Sequence, residues 1–245
     1  MTSTSIRPNK DFLKNLQYVI LPGRLELGSP WTDLQNRAYS YWVEFWNGVF
    51  KANKVEAPVN FKPAFFRMSA ITVLLFENQI IGMHMYCFFN LEQLSHRDHE
   101  YFQSERGSRF IEILQKHGVS RIMSMEFLTV DPNWRKGSVG ISLGAVLSSL
   151  GSRIQRAAGL EAATTIARKD LGVDAFARDF GFENVTEGLN MYNTPVVFQC
   201  LFTDKIRDLP DTDTRSYVDL YWRNRVDASG LTLTPVRSER QSAAA

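Results

Sequence analysis

Chemistry in this 245-residue chain is concentrated around one carboxylate and the loop that follows it. Glu126 lies within Arg121 to Val130, a stretch otherwise suited to a pleated sheet and closed by Asp131-Pro132, where proline cannot donate to a ladder. Poor solvation there raises a carboxyl pKa toward neutrality, which makes Glu126 a candidate general base. Pairing with an arginine such as Arg121 or Arg168 is the competing role. His84, in the apolar run Gln79 to Phe89, is the second candidate base, against the ordinary reading of a satisfied core histidine. Downstream, Arg135-Lys136-Gly137-Ser138-Val139-Gly140 puts cations and small residues where the first N–H groups of a helix are unpaired. That is a ready anion site whose glycines admit a phosphate, although an ordinary strand-to-helix turn explains the same residues.

A helix must carry that loop. Val139, Leu143, Val146, Leu147, Leu150, Ile154 and Ala157 recur at helical spacing and predict one amphipathic helix opening at the loop. Upstream, Ser29-Pro30-Trp31 reads as an N-cap followed by proline at the first helical position, with helical period continuing to about Asn53. Leu34, Ala38, Tyr41, Trp42, Phe45 and Val49 form its core stripe, yet Tyr39, Val43, Trp46 and Phe50 widen the apolar arc to roughly half the circumference, more than one core face needs. The surplus is covered by another part of the chain, by a hydrophobic ligand in a pocket shared with the hairpin around Met83 to Phe89, or by a second copy in a homodimer. Phe65 to Phe76 and Gln79 to Phe89 read as strands joined at Glu77-Asn78, with Met83, Met85, Cys87 and Phe89 on one face and His84, Tyr86 and Phe88 on the other. Further strands are expected at Leu16 to Leu21, Leu160 to Ala167, Gly188 to Tyr192 and Val196 to Phe202. Further helices are expected at Ser108 to Lys116, Asp170 to Phe180 and Ser216 to Arg225.

Set side by side, these pieces resemble the GNAT superfamily of acyl-CoA-dependent N-acyltransferases. Leu128-x-Val130-x-Pro132-x-Trp134-Arg135 matches that family's hydrophobic-x-Val-x-Pro-x-aromatic-Arg run. Arg135-x-x-Ser138-x-Gly140 matches its Arg/Gln-x-x-Gly-x-Gly/Ala loop, with Ser138 in place of the first glycine. Asp170 and Ala177, ahead of Gly181-Phe182, stand where the family has an asparagine and the tyrosine that often protonates the leaving thiolate. The resemblance implies a mixed, splayed α/β sheet with helices on both faces. It implies that Leu128 and Val130 lend backbone to a pantetheine arm, that Arg135, Lys136, Gly137, Ser138, Val139 and Gly140 hold its pyrophosphate, and that Asp170 belongs to the same cofactor site. Glu126 is then the base, with His84 as the alternative, and Tyr192 or Tyr86 stands in for the missing acid. The implied reaction moves an acyl group from CoA, or from the phosphopantetheine of an acyl carrier protein, to a primary amine. A catalytically inactive acyl-CoA-binding or sensor module is the rival, on the grounds of Ser138 and Ala177. The aromatic helix and the chain length are similar to those of the N-acyl amino acid synthase and acyl-homoserine lactone synthase branch.

Composition excludes other classes. Lys+Arg 28 against Asp+Glu 26 leaves a net charge of +2, which argues against a general nucleic-acid binder. Two cysteines supply neither a disulfide scaffold nor a four-cysteine metal site, and His96 and His99 lack a third ligand, so they read as a solvated pair and no metal is expected. The absence of a bilayer-spanning apolar run and of a signal-peptide core gives the expectation of a cytoplasmic protein. Residues 1–202 are expected to form a single domain including the N-terminal helix, and 203–245 a partly disordered extension.

Overall fold

The computed structural model describes residues 10–58, 61–103 and 105–234. Eight strands run through it: β1 (Gln17–Pro22), β2 (Ala70–Phe76), β3 (Gln79–Asn90), β4 (Arg121–Val130), β5 (Ala162–Arg168), β6 (Glu183–Met191), β7 (Thr194–Phe202) and β8 (Val226–Asp227). They form one mixed sheet in the order β6-β7-β5-β4-β3-β2-β1-β8. β4 pairs with β5 in parallel, as β1 does with β8, and the other ladders are antiparallel. The β2–β3 and β6–β7 hairpins turn on Glu77-Asn78 and Tyr192-Asn193, both pairs with positive φ, the geometry that matches the right-handed twist of the strands.

The helices are α1 (Lys10–Leu13), α2 (Thr32–Ala52), α3 (Phe61–Arg67), α4 (Leu94–Arg97), α5 (Glu105–Lys116), α6 (Lys136–Val139), α7 (Leu143–Ala157), α8 (Val173–Asp179) and α9 (Thr212–Arg223). Alternate side chains of the sheet feed two cores. One face packs Ile20, Leu74, Tyr86 and Met123 against Leu143, Leu147, Leu150 and Ile154 of α7, Phe180 beyond α8, and Tyr221 of α9. The other packs Val73, Met83, Met85 and Phe89 against Trp42 and Phe50 of α2, Phe61 and Phe65 of α3, and Phe110 of α5. The hairpin faces therefore fall as the alternation of β3 predicts. α7 presses so closely on the sheet that a Cβ at Gly151 would come within 2.6 Å of Met125 Cε and 2.9 Å of Tyr86 Oη.

Among the departures from the sequence reading, four bear on the architecture. α2 begins at Thr32, because Ser29 caps the preceding turn by accepting from the Trp31 N–H at 3.3 Å. Phe65 to Arg67 belongs to α3 and not to a strand, so β2 opens only at Ala70. The helix after the loop is two helices: Gly140 ends α6 with φ +80°, and Ser142 caps α7 by accepting from the Ala145 N–H at 3.2 Å. Finally, residues 203–234 are tied to the sheet through α9, which packs on α7 with an Arg153–Asp219 ion pair, and through β8, which extends the sheet beside β1. The expected disorder of the polar end lies outside the described residues.

Candidate active site

A one-residue bulge in β4 opens the site. The β3–β4 register jumps from Met83↔Thr129 to Met85↔Glu126, and Phe127 is the extra residue, with φ +55°. Strict alternation would place Phe127 opposite Glu126. The bulge instead leaves Phe127 on the α2 face with Glu126 and turns Leu128 and Val130 to the α7 face. β4 and β5 pair only at Ile122↔Ala162, Met123↔Ala163 and Ser124↔Thr164. The Thr165 hydroxyl then donates to the Met125 carbonyl at 3.0 Å, and past that point the strands part.

A cavity of about 580 Å³ runs through this gap. Phe45, Trp46 and Val49 of α2 and Phe61 and Ala64 of α3 wall one side. Leu128, Val130, Ser148, Phe176, Ala177 and Phe180 wall another, and Met191 and Tyr192 close it from the β6–β7 hairpin. That hairpin is fixed to the end of α2 by the Asn193 side-chain amide, which donates to the Asn53 carbonyl at 3.3 Å, and by an edge-on Tyr192–Phe50 contact at 5.1 Å. The surplus apolar arc of α2 is thus divided. Trp42 and Phe50 are buried in the core, Tyr39 meets Phe65 edge-on, and Phe45, Trp46 and Val49 face the cavity. The opposing wall is the parted β4–β5 edge and not the Met83 to Phe89 face, whose Met83, Met85, Cys87 and Phe89 are packed in the core.

Glu126, His84 and Tyr192 all line this space. Burial raises the Glu126 pKa, opposed by the Ser124 hydroxyl, which donates to Glu126 Oε1 at 2.5 Å, and by the positive charge of Arg67. The expected arginine partners are engaged elsewhere: Arg121 with Glu161 at 3.4 Å, Arg168 with Asp170 at 2.6 Å. Arg67, at the end of α3, is the cation that Glu126 feels, and Arg67 itself pairs with Glu100. The Tyr192 phenol is raised by burial and by Glu126. Burial drives His84 down to about 3, so it is neutral and a poor base at physiological pH, and its Nδ1 has no hydrogen-bond partner. Between the two candidate bases, the shift directions favour Glu126. Tyr86 is fully buried beneath Gly151 and does not line the cavity.

Sequence reasoning missed Arg67, His99 and Tyr101. His99 is not a solvated surface residue: it meets Phe89 edge-on at 5.0 Å, lines the cavity, and is depressed by burial and by Arg67. His96 Nδ1 accepts from the Asn90 N–H at 2.7 Å, which holds the loop. Tyr101 Oη lies 3.1 Å from Thr164 Oγ1 at the point where the β4–β5 ladder ends. No group of three or more metal-ligating side chains occurs among the described residues.

Of the expected cofactor residues, Leu128, Val130 and Arg135 reach the cavity, and Val139 is buried in the core. Lys136 is exposed at the edge, Gly137 and Ser138 lie within α6, and Gly140 terminates it. The long helix with free leading N–H groups is α7, so its start falls at Ser142 to Gly144, downstream of the expected loop. Asp170 is not among the residues that line the cavity, and its carboxyl is held below the usual range by Arg168.

The mixed sheet, its parted central strands and the helices on both faces make up a GNAT-type α/β fold. No protein-family model and no curated protein matches the sequence. Solved structures do match by fold. FeeM, an N-acyl amino acid synthase from uncultured soil microbes, is similar at TM-score 0.50 and 12% identity over 85% of this chain and 98% of that one. BjaI, a CoA-dependent acyl-homoserine lactone synthase solved with SAM and isopentyl-CoA, is similar at TM-score 0.52 and 9% identity over 84% and 99%.

Proposed function

We propose that this protein transfers an acyl group from a thioester donor, CoA or the phosphopantetheine of a carrier protein, to a primary amine. The observation that carries the reading is the cavity through the β4–β5 gap, apolar along most of its walls and lined by a carboxylate of raised pKa. The two fold relatives, synthases by name, support the same class. The pantetheine arm would lie in the gap along Leu128 and Val130, with its phosphates toward Arg135 and the start of α7. The acyl chain would lie against Phe45, Trp46 and Val49. The incoming ammonium loses one proton to Glu126, the free amine attacks the thioester carbonyl, and the C–S bond breaks. The thiolate takes a proton from Tyr192, and the second amine proton restores the phenol. Holding amine and thioester together supplies most of the rate.

Mass spectrometry of co-purified thioesters, followed by turnover with amine pools, tests the reading. Glu126→Gln should lower turnover at neutral pH while thioester binding stays nearly intact. Equal rates for both proteins across pH would remove Glu126 from the site. Ala177, apolar where a proton donor is usual, favours one second reading, an acyl-thioester sensor without turnover. Tight thioester binding with no product from any amine would establish that instead.

A further inference from the structure

We propose that Trp46 and Thr129 clamp the β4 bulge, and that this clamp places Glu126 according to what fills the acyl cavity. The inference rests on the transferase reading above and makes both residues positioning residues. The Trp46 indole N–H donates to Thr129 Oγ1 at 3.3 Å, and the Thr129 hydroxyl donates in turn to the Phe127 carbonyl at 2.8 Å. The Phe127 ring is held edge-on by Trp46 at 5.1 Å and by Trp42 at 5.2 Å. Phe127 carries the positive φ of the bulge, a conformation disfavoured for any residue with a Cβ, so it persists only because its surroundings hold it.

Glu126 is the residue before Phe127, and its direction is set by the backbone that the clamp fixes. Loss of the bulge would restore strict alternation and exchange the faces of the strand that follows, bringing Leu128 and Val130 to the α2 side. Trp46 is also a wall of the cavity. A long acyl chain lying on the indole would press it toward Phe127 and Thr129, whereas a short one leaves it free to move. The same side chain therefore senses the donor and steadies the base.

Three variants of the full chain separate this from ordinary packing. Thr129→Val keeps the shape and removes the hydroxyl, Trp46→Phe keeps a ring and removes the donor, and Thr129→Ser retains the hydrogen bond. The first readout is the titration of Glu126 followed by carboxyl carbon NMR in the ligand-free protein. Thr129→Val and Trp46→Phe should each bring it back toward the ordinary carboxylate range as water reaches the loosened strand, and Thr129→Ser should restore the wild-type curve. The second is turnover with octanoyl and acetyl thioesters. For octanoyl, kcat should fall about tenfold to a hundredfold in both variants, with KM nearly unchanged in Thr129→Val, which leaves the acyl wall intact. The acetyl rate should fall less, and the double variant should be no worse than the poorer single one. A Glu126 titration that stays in place in both variants overturns the clamp. Equal losses for acetyl and octanoyl, or additive losses in the double variant, overturn the coupling to the donor. Should the wild-type protein acylate no amine, the transferase reading fails and the coupling with it, while the titration still decides whether the clamp places Glu126.

Discussion

Lengthening the acyl group of the donor should raise affinity steeply and then stop. Each methylene moved from water into an apolar site contributes about 0.8 kcal/mol, and about 1.4 kcal/mol is tenfold, so each carbon is worth about fourfold at most. Octanoyl exceeds acetyl by six methylenes, a ceiling of about 5 kcal/mol before the flexible chain is immobilised. Ordering the chain takes back part of that, which leaves an expected gain of about a hundredfold to a thousandfold. The gain should flatten once the chain outruns a cavity of about 580 Å³ shared with the pantetheine arm. Trp46→Ala removes the indole from the wall next to Phe45 and Val49 and should cut the gain per methylene. Isothermal titration of the wild-type and variant proteins with acetyl, octanoyl and palmitoyl thioesters measures the series directly. A flat series, or a preference for acetyl, would refute the reasoning and return this stretch of α2 to ordinary packing.

Two other expectations follow from charge. Burial raises the Glu126 pKa above its ordinary 4.5, so stability is fully present below that value and is lost as pH rises through the folded-state pKa. Thermal melts across pH should show that decline in the wild-type protein and not in Glu126→Gln; parallel curves would mean that the carboxyl group is not desolvated. Arg135→Ala should weaken thioester binding by about 1 to 3 kcal/mol through loss of a charge-assisted contact, and an unchanged dissociation constant would remove Arg135 from the phosphate site.

The sequence disclosed most where local pattern and tertiary demand agree. β4 runs from Arg121 to Val130 as its composition and closing proline require, and the hairpin faces follow from simple alternation. It misled where a break leaves the period intact. Val139 and Leu143 are four residues apart and sit on one helical face whether or not Gly140 interrupts the chain, so two helices looked like one. Phe127 was illegible for a related reason: an aromatic residue in an apolar strand carries no mark of a positive φ, and the rings of Trp42 and Trp46 that pack on it come from a helix far away in the sequence. Arg67 was hidden because Phe65 and Phe66 gave α3 the look of a strand, and no local rule ties its charge to a carboxylate on β4. Ala177, by contrast, is legible directly, and the structure makes it a wall of the cavity.

Strand β1 depends on residues that come far later in the chain. Its outer ladder is the short parallel pairing of Val19 and Ile20 with Val226 and Asp227, and the Leu13 carbonyl just before it accepts from the Tyr221 hydroxyl across 208 residues. During synthesis, an early β1–β2 pair must therefore stand with an open edge until α9 and β8 emerge. Contacts of such separation form late because loop closure precedes their reward. Until then, the exposed groups along β1 are a template for pairing with another chain. Truncation before Thr212 would make that transient state permanent, and its cost would appear first as aggregation during expression.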